Sequence, residues 1–310
     1  ISTSVASVAS GETSIITFTL SEASTDFDAA SVTVAGGAIS DFAGSGTVYT
    51  AVFTPAADLD GSATITVGAG SFTDAAGNDN TAETLSITVD TKAPTVTITS
   101  DASSLATGDT ATITFTLSEA STDFALGAVA ATGGTLSAFD DSSAPVYTAT
   151  FTPDASFSGA ATVSIADGAF TDAAGNDNTA SNLNLAVNTT APTVTINAAA
   201  TSLADGDSTL ITITLSAAST DFTSADIVAD SGAISGFTAV SDTQYTAIYT
   251  PAAGTAGTDT VSVAAAAFTD LDGNSNLEAA IQLEIDTTAP TVTISTSVAS
   301  VASGETSIIT

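Results

Sequence analysis

Thr112-Ile113-Thr114-Phe115-Thr116-Leu117 alternates hydroxyl and apolar side chains without interruption. Successive side chains of an extended chain point to opposite faces, so Ile113, Phe115 and Leu117 share one face and three threonines the other. A strand of this kind needs one dry face and one wet one. The same strand recurs as Thr17-Phe18-Thr19-Leu20 and as Thr212-Ile213-Thr214-Leu215. Further alternating runs are Leu183 to Val187, the trio Leu85, Ile87 and Val89, and the trio Ile281, Leu283 and Ile285. Between them Gly134 to Phe139, Val146 to Phe151 and Ala160 to Ile165 read as more strands. Gly, Asp, Asn, Ser or Pro punctuates every gap, and no stretch carries a helical period.

The spacing of these runs is itself repeated. Ala-Pro-Thr-Val-Thr-Ile occurs at Ala93 to Ile98, Ala191 to Ile196 and Ala289 to Ile294, 98 residues apart each time. Residues 294–310 repeat residues 1–17 letter for letter, whereas residues 98–114 match residues 1–17 at only 7 of 17 positions. Identity at the long period and divergence at the short one predict a copied unit of three modules, and the chain is expected to be a window from a longer array. The modules are 1–92, which is expected to lack its first few residues, 93–190 and 191–288, and 289–310 opens a fourth that copies the first. About seven short strands in ~98 residues, with turn signals every ~8–14, predict an all-β immunoglobulin-like sandwich for each module, arranged as an extended array. Aromatics keep register: Phe27, Phe124 and Phe222 are equivalent, as are Tyr49, Tyr147 and Tyr245, and core packing explains such recurrence better than a stacking platform.

Net charge is −33 and Lys92 is the sole basic residue. Such a polymer repels phosphate backbones and anionic headgroups, so nucleic acid and membrane surfaces are not expected partners, and no apolar run in this stretch suits membrane insertion. With 44% hydrophobic residues in regular patterns the chain is expected to fold rather than stay disordered. Cysteine is absent, so no disulfide contributes. Of 34 acids, 27 are Asp, a bias that suits both turns and oxygen-ligand metal loops.

Leu-Ser-Glu-Ala-Ser-Thr-Asp-Phe (Leu20 to Phe27 and Leu117 to Phe124), Phe-Thr-Asp-Ala-Ala-Gly-Asn (Phe72 to Asn78 and Phe170 to Asn176) and Val89 to Thr95 resemble the immunoglobulin-like tandem repeats of giant bacterial surface adhesins. The resemblance covers the whole chain and implies a stalk or fibre, export to the cell surface, and calcium at the joints between domains. Module 3 departs from it, with Ala217 in place of Glu and Asp272 in place of Ala.

In an immunoglobulin topology the incoming linker, the loop after the second strand and the loop before the last strand gather at one end of the domain. For module 2 these segments carry Asp90, Glu119, Asp123, Asp172 and Asn176. Converging carboxylates without a basic counter-charge call for a cation, and Ca2+ takes 6–8 oxygen ligands in irregular geometry. The candidate metal residues are Glu22, Asp74, Asn78, Asp90, Glu119, Asp172, Asn176, Asp270, Asp272 and Asp286. The alternative is that these residues only build turns. At the entrance to module 3 Asn188 replaces the linker Asp and Ala217 the Glu, so both acids vanish together, while Asp272 offers a rearranged site. Asn188-Thr189-Thr190 also matches a glycosylation acceptor, a weak signal in a Thr-rich chain.

These readings converge on a non-enzymatic structural role: an extracellular, cell-surface fibre or stalk whose joints calcium stiffens. Its partners are neighbouring modules of the same chain, with lateral self-association into fibres as a further mode. The alternatives are a carbohydrate- or protein-binding module, or a subunit of a self-assembling sheath or surface layer. Strand donation by the fourth module is expected to be redundant, because residues 1–17 already supply an identical segment.

Overall fold

The dry face predicted for Thr112–Leu117 is present. In a computed structural model describing residues 1–310, Ala111–Leu117 is a strand that buries Ala111, Ile113, Phe115 and Leu117 and exposes Thr112 and Thr116. The chain divides into two compact units: Ile1–Leu105 with Asp109–Asp154 and Gly159–Val187, and Ala106–Gly108 with Ala155–Ser158 and Asn188–Thr310. The sheets of the first unit make two sandwiches and those of the second make one.

In the second sandwich of the first unit, one sheet runs Gly134–Ser143, Val146–Pro153, Ala111–Leu117, Val96–Ser100, with antiparallel neighbours throughout. The facing sheet runs Val129–Thr132, Ser158–Ile165, Ser181–Asn188, Ser104–Leu105, and its last pair is parallel. The leading segment therefore changes sheets, from Val96–Ser100 to Ser104–Leu105. This switch splits one sequence run into two strands, which the turn spacing alone does not reveal. The second unit repeats the arrangement, with Val194–Ala198, Thr209–Leu215, Gln244–Thr250 and Ala233–Ala239 facing Ser202–Ala204, Ala279–Asp286, Ala256–Val263 and Ile227–Ala229. The first sandwich pairs a three-stranded sheet (Ser2–Thr3, Ser14–Ser24, Gly37–Pro55) with a four-stranded one.

The recurring aromatics lie in the cores. Phe124 sits among Phe115, Phe139, Tyr147 and Phe170, with ring centroids 4.8–6.0 Å away and mostly edge-to-face. Phe27 and Phe222 hold the same place in their sandwiches. Edge-to-face contacts of this kind add roughly 0.5–1.5 kcal/mol each beyond burial.

One glycine is dictated by that packing. A Cβ at Gly134 would lie 2.3 Å from the Phe151 ring and 2.5 Å from the Thr152 carbonyl oxygen. Gly37 and Gly232 stand equally close to Phe53 and Tyr249. Gly134→Ala is expected to cost about 1–3 kcal/mol through overpacking, measured as a lowered denaturation midpoint of the full chain. A change within error would show that the strand relaxes freely there.

Candidate metal centre

The loop before the last strand of the second sandwich is shaped by two residues. Asn178 is buried; its Oδ1 accepts the Phe170 N–H at 2.9 Å, and its Nδ2 donates to the carbonyls of Ala166 (2.8 Å) and Thr179 (2.9 Å). At the tip, Asp172 Oδ1 accepts from the N–H groups of Ala174 (2.8 Å), Gly175 (2.8 Å) and Asn176 (2.9 Å). Gly175 sits at φ 93°, which the turn requires and which a side chain would strain. The string Asp-Ala-Ala-Gly-Asn is thus a self-capped turn, as its residue types alone would predict.

Within the first unit this loop meets the linker entering the second sandwich. Asp90 ends the strand Glu83–Asp90, and Thr91 pins the linker by donating from Oγ1 to the Ala56 carbonyl at 2.7 Å. Ligand oxygens of Asp90, Glu119 and Asp172 lie within 4.8 Å of one another, with Asp172 only 4% exposed and the other two half-buried. Asp60 pairs with Asp90 across the strands. Burial first, then the charges of Asp172, Asp90 and Asp60, push the Glu119 carboxyl above its usual range, and Lys92 only partly offsets them. Two like charges at such a separation repel by roughly 1 kcal/mol in water and several times that at a partly buried site.

Three carboxylates without soft ligands form a hard-oxygen donor set, and the half-open site leaves room for water to complete the shell, as Ca2+ binding commonly allows. His and Cys are absent from the chain, so zinc and softer metals are poorly matched.

Asn176 has a second duty that the sequence did not disclose. Its Nδ2 donates to Asp172 Oδ2 (2.8 Å) and the Asp90 carbonyl (3.0 Å), while its Oδ1 accepts the Ser10 N–H (2.9 Å). One buried carboxamide therefore clamps the linker and a turn of the first sandwich to the second, and its oxygen is engaged by protein rather than left for an ion. Asp123 is likewise engaged: it accepts from the Thr171 N–H (3.0 Å) and the hydroxyls of Thr171 (3.0 Å) and Ser121 (2.8 Å). The Thr171 N–H leads the donors that hold its carboxyl below the usual range. Asp26 and Asp221 do the same for Thr73 and Thr269.

The other candidates are placed differently. In the first sandwich Asp74 and Asn78 form the same turn, with Asn78 exposed, and Glu22, Asp74 and Asn78 line one open cavity. In the second unit Asp270 and Asn274 are buried, and Asn274 holds the Thr107 N–H (2.9 Å) and the Asn188 carbonyl (2.9 Å). There Asn188 Nδ2 donates to Asp272 Oδ2 at 2.6 Å. The exchange of Asp for Asn in the linker is thus matched by a new Asp in the turn, and a hydrogen bond stands where the first unit has carboxylate facing carboxylate. Engagement of Asn188 and burial of Thr189 also argue against the glycosylation reading. Asp286 is exposed and accepts from Thr288.

The profile of the bacterial Ig-like domain matches residues 1–89, 90–187 and 188–285. The chain belongs to this family. Among solved structures it is similar to the Escherichia coli adhesin FdeC (14% identity, 91% of this chain and 95% of that one, TM-score 0.37). It is also similar to the I9–I11 tandem of titin (9%, 90% and 95%, TM-score 0.32) and to invasin, a bacterial integrin-binding protein (13%, 90% and 58%, TM-score 0.34). No curated protein sequence matches. No helix is long and apolar enough to cross a membrane.

Proposed function

We propose that this chain is part of an extracellular stalk or fibre, of the kind that carries a surface adhesin, in which tandem sandwiches act as spacers and the joints set stiffness. The observation that carries the reading is the buried Asn176, which ties Ser10 and Asp90 to the turn of the next sandwich. A flexible string of independent domains has no use for such a clamp; a spacer that must hold its angle does. Catalysis is not part of this reading: the hydroxyls that meet the acids of this chain donate to them as structural hydrogen bonds, and the chain has no His or Cys to serve as base or nucleophile beside them.

Calcium at Asp90, Glu119 and Asp172 is the second part of the proposal, supported by the convergence of three carboxylates and by the raised Glu119 carboxyl. The ion would relieve their repulsion and fix the first-unit joint. Calorimetric titration of the full chain is expected to show a site that Glu119→Gln weakens at least tenfold, together with a fall in Glu119's titration midpoint when calcium is added. Calcium-free chain should gain stability as pH falls through the raised Glu119 value, since protonation removes a charge that burial first, and the neighbouring acids second, disfavour. Equal heats for wild type and Glu119→Gln would remove the ion from the reading and leave the clamp.

A further inference from the structure

One basic residue stands among these 310, and it lies in the linker that the Asn176 clamp holds. Lys92 is exposed, in the strandless stretch 91–95 between the strands Glu83–Asp90 and Val96–Ser100. The matching positions of the other linkers are Thr190 and Thr288. A peptidase that requires a cationic side chain before the scissile bond therefore has a single bond to attack here, Lys92–Ala93.

Exposure of the side chain does not make that bond available. Such an enzyme takes its substrate extended, with several residues on each side of the bond lying in the cleft. Here the two sides are fastened to different sandwiches. Upstream, Thr91 is 7% exposed; its N–H donates to the Leu59 carbonyl (2.8 Å), and its Oγ1 donates to the Ala56 carbonyl (2.7 Å) and accepts the Leu59 N–H (3.0 Å). Asn176 holds the Asp90 carbonyl from across the joint (3.0 Å), and the Lys92 N–H turns back to Asp90 Oδ1 (3.2 Å). Downstream, Pro94 is buried and its carbonyl accepts the Thr179 N–H (3.1 Å), while Thr95 exchanges two bonds with Ser118 (2.9 Å each). Only Lys92 and Ala93 lie between the anchors Thr91 and Pro94, too short a span to fill a cleft while both hold. The Lys92 charge also partly offsets the acids around Glu119, so drawing the ammonium into an acidic specificity pocket leaves those acids less compensated.

We infer that Lys92–Ala93 is a gated processing site: an endopeptidase specific for basic residues severs this joint when the clamp opens and spares it when the clamp is closed. The step is a hydrolysis. Water's oxygen bonds to the Lys92 carbonyl carbon, the C–N bond breaks, and the Ala93 nitrogen leaves with a proton, giving a carboxylate and an ammonium. The first two sandwiches are then separate chains joined only by the clamp and its neighbours. Cleavage of a locally opened segment follows the population of the open form when closing is faster than cutting. The inference rests on the clamped joint proposed above and not on calcium.

Trypsin added to the full chain in EDTA tests it, with fragments 1–92 and 93–310 followed by mass. Wild type is expected to be cut at least a hundredfold more slowly than a peptide of residues 87–97. Asn176→Ala should be cut at least tenfold faster than wild type, Asn78→Ala at the wild-type rate, and Lys92→Gln not at all. Gly134→Ala separates gating from unfolding, because it weakens the second sandwich away from the joint; its rate should stay at that of wild type. Wild type cut as fast as the peptide overturns the inference. So does Asn176→Ala cut no faster than wild type, or Gly134→Ala cut faster in proportion to its lost stability. Melting of the Asn176→Ala chain is recorded alongside: lost stability with unchanged cleavage removes the gate and leaves the clamp standing.

Discussion

Asn176→Ala is expected to lower the stability of the first unit by about 2–4 kcal/mol, while Asn78→Ala, the same substitution in the same turn one sandwich earlier, stays within about 1 kcal/mol. The two asparagines share their local sequence and their bond to the turn aspartate. They differ in what covers them: Asn176 is 3% exposed and holds Ser10 and Asp90, and Asn78 is exposed. Truncating Asn176 strands Asp172 Oδ2, the Ser10 N–H and the Asp90 carbonyl in a place that water reaches poorly. Calorimetry on the full chain should show the first-unit transition moving and the rest unmoved. Equal, small losses for both variants would mean that the clamp forms without contributing.

A second large effect is expected in the third sandwich, where Asp259 lies buried at 1% exposure beneath the Tyr249 hydroxyl, which donates to it. Ser231 supplies its N–H (3.1 Å) and hydroxyl (3.0 Å), and the N–H groups of Gly232 (3.0 Å) and Thr260 (2.9 Å) complete the set. The equivalent positions of the second sandwich carry Ala161, Phe151 and Gly133, so three substitutions that meet in space have changed together. Asp259→Ala should cost about 3–5 kcal/mol by orphaning buried donors, and Tyr249→Phe about 1–3 kcal/mol. The triple variant Ser231→Gly/Tyr249→Phe/Asp259→Ala, which recreates the apolar set, should recover most of the loss, a strong coupling in a mutant cycle. Additive losses would show that the three positions are independent.

The same group gives this sandwich a pH signature. Burial acts to raise the Asp259 carboxyl, but the donors, led by Tyr249 and Ser231, outweigh it and hold it below its ordinary value. The folded value is therefore depressed relative to the unfolded chain, near ~3.9. Its stabilisation is complete above that unfolded value and is lost as pH falls through the folded one. Asp26, Asp123 and Asp221, one in each sandwich, are held low as well and act in the same direction. The steeper acid sensitivity of wild type over the triple variant thus isolates Asp259.

The strands were legible because threonine and aliphatic residues alternate with so little noise: every buried position of Ala111–Leu117 from Ile113 on could be named from its spacing. The switch of the leading segment between sheets was not legible, since Asp101 to Ser103 reads only as a turn. The trio Asp90, Glu119 and Asp172 was legible because topology gathers three loops at one end, and those loops carry acids. The joint duty of Asn176 was hidden, since Gly-Asn in a turn accounts for itself locally and nothing in the string announces a contact with Ser10, 166 residues away. Asp259 was hidden for the opposite reason: in a chain with 27 aspartates, one more reads as surface until its burial is seen. Asp272, which the sequence offers to a rearranged ion site, accepts a hydrogen bond from Asn188, a pairing that the sequence does not disclose.

The hydrogen bond from Asn188 to Asp272 has a consequence for charge. One carboxylate with an amide partner stands in the second unit where the first gathers Asp90, Glu119 and Asp172, so acid that relaxes the crowded acids of the first meets no such cluster in the second.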